Sequence, residues 1–288
     1  PLTNLGVAMR ADPGIINKIK KLIIMGGGCR QTNTTSAAEF NIWKDPEAAQ
    51  IVLTSGCEIL LVPLDATHRA YVGSEESMKF RQMGTPVGIA TADLLDARIQ
   101  AYDLMQPIEC APYGSTPPHD ALAVCAAIDE TVLRDVRLCR VDVDCGGSWA
   151  DGMTIVDPRV LTDQPENVHV AFNADREKFV SMLFDILGKK NQEEMDKKKV
   201  ILDVDTGSDD AIAIILAVLH PDLDVLGVNG AGAEAIAGSV TATYWLLMLV
   251  GRLIGASIGS KISAKAMLGT ASAIGIILVI SAMFAPTD

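Results

Sequence analysis

Between positions 203 and 210 the chain reads Asp-Val-Asp-Thr-Gly-Ser-Asp-Asp, so Asp203, Asp205, Asp209 and Asp210 place four carboxylates within eight residues. Like charges at that density repel and raise one another's proton affinity, a cost that a cation among them removes. An all-oxygen donor set points to Ca²⁺ or Mg²⁺ rather than Zn²⁺. Gly207 permits a sharp backbone turn, and an acid at the start of the following helix meets the positive end of its dipole. Capping accounts for one Asp but not for four.

Two other metal chemistries can be weighed on spacing. An EF-hand loop opening at Asp203 needs Gly at its sixth place and Glu at its twelfth, which hold Ser208 and Ile214. A haloacid-dehalogenase-type phosphatase would also set Asp203-Val204-Asp205 after a strand, with one Asp as nucleophile, but it leaves Asp209-Asp210 unexplained. Elsewhere, His119-Asp120 follows Pro117-Pro118 and opens a helix, where the pair also suits simple capping. Glu39 and Asn41 flank Phe40 and also suit an exposed strand or loop face. His68 reads as structural, and Asp203 as turned to the opposite side of its strand end.

The elements that must position these groups alternate in the α/β manner. Lys21 to Met25 and Glu58 to Pro63 read as buried strands, Arg140 to Asp144 and Asn167 to Phe172 as further strands. Asp45-Pro46 supplies an N-cap and a first-turn proline for a helix over Glu47 to Thr54. Asp120 to Ile128 and Arg176 to Leu187 are helical. A polar run over 188–199 reads as a linker, after which Val200 to Leu202, Ala211 to Leu219 and Asp224 to Val228 form a βαβ unit. The acidic motif is the turn between its first strand and its helix.

Val200 to Ala213, VILDVDTGSDDAIA, resembles the N-terminal signature of the inosine/uridine-type nucleoside hydrolases. Further blocks resemble the same family: Pro1-Leu2-Thr3-Asn4, Met25-Gly26-Gly27-Gly28, Asn33 with Ala37 to Ile42, Asp45 to Ala49, Leu64 to His68, His119-Asp120 and Gly152-Met153-Thr154. The resemblance implies calcium-dependent hydrolysis of the N-glycosidic bond of ribonucleosides. It implies Ca²⁺ ligation by Asp205, Asp210 and Asp120, with Asp205 taking a proton from the attacking water. Asn33, Glu39, Asn41 and Asp209 would bind the ribose, and His119 would donate a proton to the departing base. A cytoplasmic homo-oligomer is the implied setting for the hydrolase portion.

The block order departs from the family, which begins with the acidic motif. Residues 1–190 are similar to the C-terminal part, 191–199 form the linker, and 200–228 are similar to the N-terminal βαβ motif. The expected architecture is therefore α/β, a Rossmann-like sheet with flanking helices, incomplete or permuted. The chain starts at Pro1, just past a family threonine whose carbonyl ligates the calcium, so that ligand is absent. The family's middle section is absent as well, and Met195 stands where a former start codon would.

From Asn229 the composition changes. Ala235 to Gly251 carries no charge, and Ala266 to Ala285 is a second uncharged stretch. Each is of roughly the 17 to 25 residues that span a bilayer, so 229–288 reads as a tail of two transmembrane helices. Tyr244 to Gly255 resembles a helix of the fucose-permease branch of the major facilitator transporters. An alternative function is thus a membrane-transport fragment for sugar or nucleoside uptake, carrying a non-catalytic hydrolase-like portion. Lys261 and Lys265 would favour the cytoplasmic side, which sets the hydrolase segment outside.

Composition narrows the rest. The net charge is −12, and Glu234 and Asp288 against Arg252, Lys261 and Lys265 leave the excess acid to residues 1–228. Nucleic-acid binding is disfavoured, because a polyanion requires Lys and Arg to displace its counterions. Six cysteines without a CxxC pair read as buried, reduced thiols.

Overall fold

The computed structural model describes residues 1–105, 111–157, 159, 164–188, 198–204 and 208–228. The chain divides into two compact units, Pro1–Gly230 and Ala231–Asp288. The expected membrane tail, 229–288, lies outside the described residues, as do Asp205, Thr206 and Gly207 of the acidic motif and residues 191–197 of the linker. Among the described residues no helix is long and apolar enough to cross a membrane.

The first unit opens with helix α1 (Thr3–Ala11) and a 3₁₀ turn over Pro13–Lys18, started by Asp12 accepting from Gly14 N. Strand β1 (Leu22–Met25) leads into the glycine-rich turn, then to the short helix α2 (Phe40–Trp43) and to α3 (Pro46–Leu53). Asp45 caps α3 through Ala48 N at 3.1 Å, with Pro46 at the first helical position. β2 (Ile59–Val62), α4 (Leu64–Thr67), β3 (Val72–Gly73), α5 (Ser74–Gln82) and α6 (Pro86–Met105) follow. Then come β4 (Ser115–Thr116), α7 (His119–Ile128), β5 (Leu133–Val143), β6 (Thr154–Asp157) and β7 (Val168–Ala174). α8 (Arg176–Leu187) is capped by Asp175, and the unit ends with β8 (Lys198–Leu202), α9 (Ser208–Leu219) and β9 (Leu223–Val228).

The main sheet has the order β1-β2-β7-β5-β6, the first three strands parallel and the last two pairings antiparallel. Successive residues of a strand face opposite sides, and β2 shows the result. Leu60 and Val62 enter one core with Phe80, Leu95, Leu122, Phe179 and Leu183, while Ile59 and Leu61 enter another with Ile24, Ile42, Val52 and Val141. Every residue of β2 is buried, as a strand covered on both faces requires.

The βαβ unit expected at the acidic motif is present: β8 and β9 pair in parallel around α9, as a separate two-stranded sheet. Lys198 and Lys199, assigned to the linker on their charge, open β8 instead. α9 contributes Ile212, Ala213, Leu216 and Ala217 to the same core as α7 and α8. The stretches on either side of 191–197 thus share one hydrophobic interior.

Three expectations need correction. The strand expected over 140–144 begins earlier, at Leu133, because its first half runs along β7 with an exposed face that hides the apolar pattern. The alternative reading of Glu39 and Asn41 as an exposed strand or loop face does not hold: Glu39 is buried and caps α2, and Asn41 lies in its first turn. Not all cysteines are buried: Cys57, Cys125 and Cys139 are, Cys29 is half-buried and Cys145 is exposed, and these five are free thiols.

Candidate active site

The helices α7 and α9 bring their first turns together. Asp120, second residue of α7, meets Asp209 and Asp210 of α9, and one carboxylate oxygen from each lies within 4.8 Å of the others. Two helix N-termini direct their positive ends at this point, which favours gathering negative charge there. Burial, then the charges of Asp209 and Asp210 and a hydrogen bond with Asp209, push the Asp120 carboxyl well above its usual range; the Arg98 guanidinium opposes them. A cation in place of the shared proton would relieve that repulsion, and three carboxylates suit a hard, oxygen-preferring ion. Asp203 is not part of the cluster; its Oδ1 accepts from Asn4 Nδ2 at 3.1 Å.

α6 supplies two groups to the same place. Arg98 Nη1 donates to Asp209 Oδ1 at 2.8 Å, both side chains being largely buried, and its Nη2 donates to Pro117 O at 3.0 Å. One turn further on, the Tyr102 hydroxyl shares a short hydrogen bond with His119 Nε2. The other ring nitrogen, Nδ1, lies 2.7 Å from Thr67 Oγ1, which has Leu64 O at 3.4 Å to donate to. That arrangement suits a neutral imidazole that donates from Nδ1 and accepts at Nε2. Burial, with the charge of Arg98 and then of His68, holds the His119 pKa well below the ordinary range, so the ring is neutral.

Glu39 is almost fully buried. Its Oε2 accepts from Gly27 N at 2.8 Å, Asn41 N at 2.9 Å and Ile42 N at 3.2 Å. Burial raises its pKa and the three backbone N–H groups oppose the rise. No hydrogen bond joins its Oε1 to the described residues, which leaves that oxygen for a ligand. Gly27 adopts φ +71°, and a Cβ there would stand 2.5 Å from Thr154 Oγ1, so only glycine allows this backbone to approach both Thr154 and Glu39. Asn41 Nδ2 reaches Met25 O at 3.4 Å, and Asn33 Oδ1 accepts from Phe40 N at 2.9 Å, tying the loop ahead of α2 to that helix.

Tyr102 joins the two groups of residues. Its phenol is held above the ordinary range by burial and by the charges of Asp209, Glu39 and Asp120, against Arg98. The hydroxyl therefore feels two carboxylates expected to hold the sugar, Glu39 and Asp209, and one of those expected at the cation, Asp120. The structure brings together Asp120, Asp209, Asp210 and, through Tyr102, His119; Asp205 lies outside the described residues. Sequence reasoning passed over Arg98, Tyr102 and Thr67. The signal for the first two was their i, i+4 spacing, which puts them on one face of a helix.

A family model described as "Inosine-uridine preferring nucleoside hydrolase" matches residues 1–181. The pyrimidine-specific ribonucleoside hydrolase RihA of Shigella boydii is 36% identical over 187 residues, 65% of this chain and 58% of that protein. Its counterpart in Photobacterium profundum is 38% identical over 184 residues, 64% of this chain and 57% of the relative. Among solved structures, the purine-preferring ribonucleoside hydrolase from Gardnerella vaginalis superposes with a TM-score of 0.56 at 32% identity, covering 63% of this chain and 56% of that one. The plant nucleoside hydrolase PpNRh1 gives 0.52 at 29%, covering 63% and 57%. The chain thus spans little more than half the length of the curated relatives it matches. The family match contains Asn33, Glu39, Asn41, His119 and Asp120, whereas Asp209 and Asp210 lie beyond it and meet one of these residues, Asp120, through the fold.

Proposed function

The chain belongs to the inosine-uridine preferring nucleoside hydrolase family, and from that premise we propose that it is a calcium-dependent nucleoside N-ribohydrolase, releasing ribose and free base. The observation that carries the reading is the convergence of Asp120 with Asp209 and Asp210, from two distant stretches of chain, at the starts of two packed helices.

Asp120 and Asp210 would hold the ion, with Asp205 as the third carboxylate that the family resemblance assigns. When bound, calcium would orient the sugar diol and make the attacking water more acidic. Asp205 would accept that water's proton. Asp209 would accept a hydrogen bond from a ribose hydroxyl, and Asn33, Glu39 and Asn41 would hold the rest of the sugar. The open Oε1 of Glu39 supports this role, since a buried anion facing the sugar stabilises the positive charge of an oxocarbenium-like transition state. The Tyr102–His119 pair has a hydrogen to pass to a leaving base nitrogen, with Thr67 fixing the ring.

The test is release of free ribose from inosine and from uridine, measured with and without a chelator. Chelator-sensitive release is expected; no ribose from either nucleoside at high protein concentration would overturn the proposal. The transport alternative draws no support from the described residues, none of whose helices is long and apolar enough to cross a membrane.

A further inference from the structure

Parallel strands are almost always covered on both faces, and a sheet of two strands is marginal by itself. The β8–β9 pair departs from both rules: it is parallel, and it has no third strand among the described residues. Val200, Leu202 and Val225 pack against the large core, while Ile201 and Leu226 are 59% and 56% exposed. Burial alternates along the chain here, Lys199, Ile201 and Asp203 being exposed and Val200 and Leu202 half-buried. The outer row therefore reads cation, apolar, anion.

The backbone of the same strand has an open edge. Lys198 N donates to Asp222 O just ahead of β9, and its Nζ donates to Ala127 O and Ile128 O at the end of α7, so Lys198 is engaged inward. Successive residues of a strand direct their N–H and C=O groups to alternate edges, so Lys199 and Ile201 direct theirs away from β9. The far edge of β9 is less suited to pairing. It carries Asp224 with no cation, and a bulge places Leu226 as an extra residue between the partners of Val200 and Ile201.

We propose that β8 pairs antiparallel with β8 of a second copy of this chain, about a two-fold axis through Ile201, joining two β8–β9 pairs into one four-stranded sheet. In that register Ile201 faces its own counterpart, and Lys199 faces Asp203 of the second copy on either side. Asp224 of the same chain is registered on the other flank of Lys199, and Asp203 keeps its contact to Asn4 through Oδ1 while its second oxygen serves the pair. Only residues whose backbone groups point to the shared edge can stand opposite one another, so the register moves in steps of two. A step either way sets Ile201 against a charge. Lysine on an edge usually keeps a strand from pairing with copies of itself; Asp203 turns that guard into a selector of one register. The contact is isologous and closes on itself, so it makes a dimer and not a fibre. It would also brace the strand that leads into the acidic motif, and it does not depend on a bound ion.

The experiment is sedimentation analysis of the full chain over a range of concentrations, with thermal melts to establish folding. It compares the unaltered protein with Lys199→Asp, Asp203→Lys, the Lys199→Asp/Asp203→Lys double variant and an equal mixture of the two single variants. The unaltered chain should form a dimer. Each single swap sets like charges opposite one another twice per interface and should raise the dimer Kd about tenfold or more. The double variant exchanges the charges within the same pairs, and in the mixture one copy presents only anions and the other only cations, so both should recover the dimer. Ile201→Glu opposes two like charges on the axis and should weaken the dimer as well; it decides the matter should a swap fail to fold, since unchanged association in that variant overturns the proposal. So would an unaltered chain that stays monomeric at high protein concentration, association that neither single swap weakens, or a mixture no tighter than its components.

Discussion

The hydroxyl of Tyr102 is hydrogen-bonded to Nε2 of His119, while the far side of the same ring is held by Thr67. The proton expected to reach the departing base therefore belongs to a pair, not to a histidine alone. Tyr102→Phe keeps the ring and removes only the hydroxyl that shares the hydrogen with His119. Its kcat should fall by about 10²- to 10⁴-fold, the usual worth of a positioned acid, with KM changed little. Steady-state ribose release measures both, and an unchanged kcat would remove Tyr102 from the proton path.

Calcium should stabilise the folded chain by mass action. At about 100 times its Kd a ligand that binds only the native state adds about 2.7 kcal/mol, which a thermal melt with and without calcium reads as a raised Tm. Asp120→Asn removes a ligand from the centre of the cluster and should abolish the calcium-dependent rise. A rise that persists in this variant would place the ion elsewhere.

Gly27→Ala should destabilise the protein by about 1–3 kcal/mol, because φ is +71° and the new Cβ would meet Thr154 Oγ1 at 2.5 Å. Urea denaturation measures the loss. The same change displaces the N–H that Gly27 gives to Glu39, so a weaker apparent affinity for nucleoside should accompany it.

Stability should decline on mild acidification, and His68 is one source. Burial lowers its pKa from 6.5 to about 4, the charge of Asp65 opposing the fall and that of Arg69 adding to it, and neither ring nitrogen has a hydrogen-bond partner among the described residues. A base whose folded pKa is depressed takes its proton first in the unfolded chain. Its contribution is therefore complete above pH 6.5 and is lost as pH falls from there toward 4, amounting to about 2–3 kcal/mol. Urea midpoints between pH 7 and pH 5 should drop, and His68→Asn should make that drop shallower; an identical slope in the variant would exclude His68 as a source.

The parts of this fold that were legible in the sequence are those with a local cause. The apolar runs of β1 and β2 could only be buried strands, Asp45-Pro46 marked the start of α3, and α8 occupies the range its periodicity indicates. Four acids in eight residues suggested a cation site, and two of them, Asp209 and Asp210, meet Asp120. What was hidden depends on tertiary structure. α6 buries Ala92, Leu95 and Ile99 but is otherwise rich in small and polar residues, so its length did not stand out, and Arg98 and Tyr102 went unnoticed with it. Glu39 reads as a ribose ligand by resemblance, while its second task of receiving three backbone N–H groups could be found only once the chain had turned back on Gly27.

The meeting of the α7 and α9 first turns has a consequence for assembly. Their acids come from stretches well separated in sequence, and the entropy of closing so large a loop must be met before the contact forms. The acidic motif on its isolated helix would then be only a patch of repelling charge, and the site a late product of folding. An ion that bridges Asp120 to Asp210 acts as a clasp across that closure, so its affinity also measures how completely the end of the described chain has docked onto its beginning.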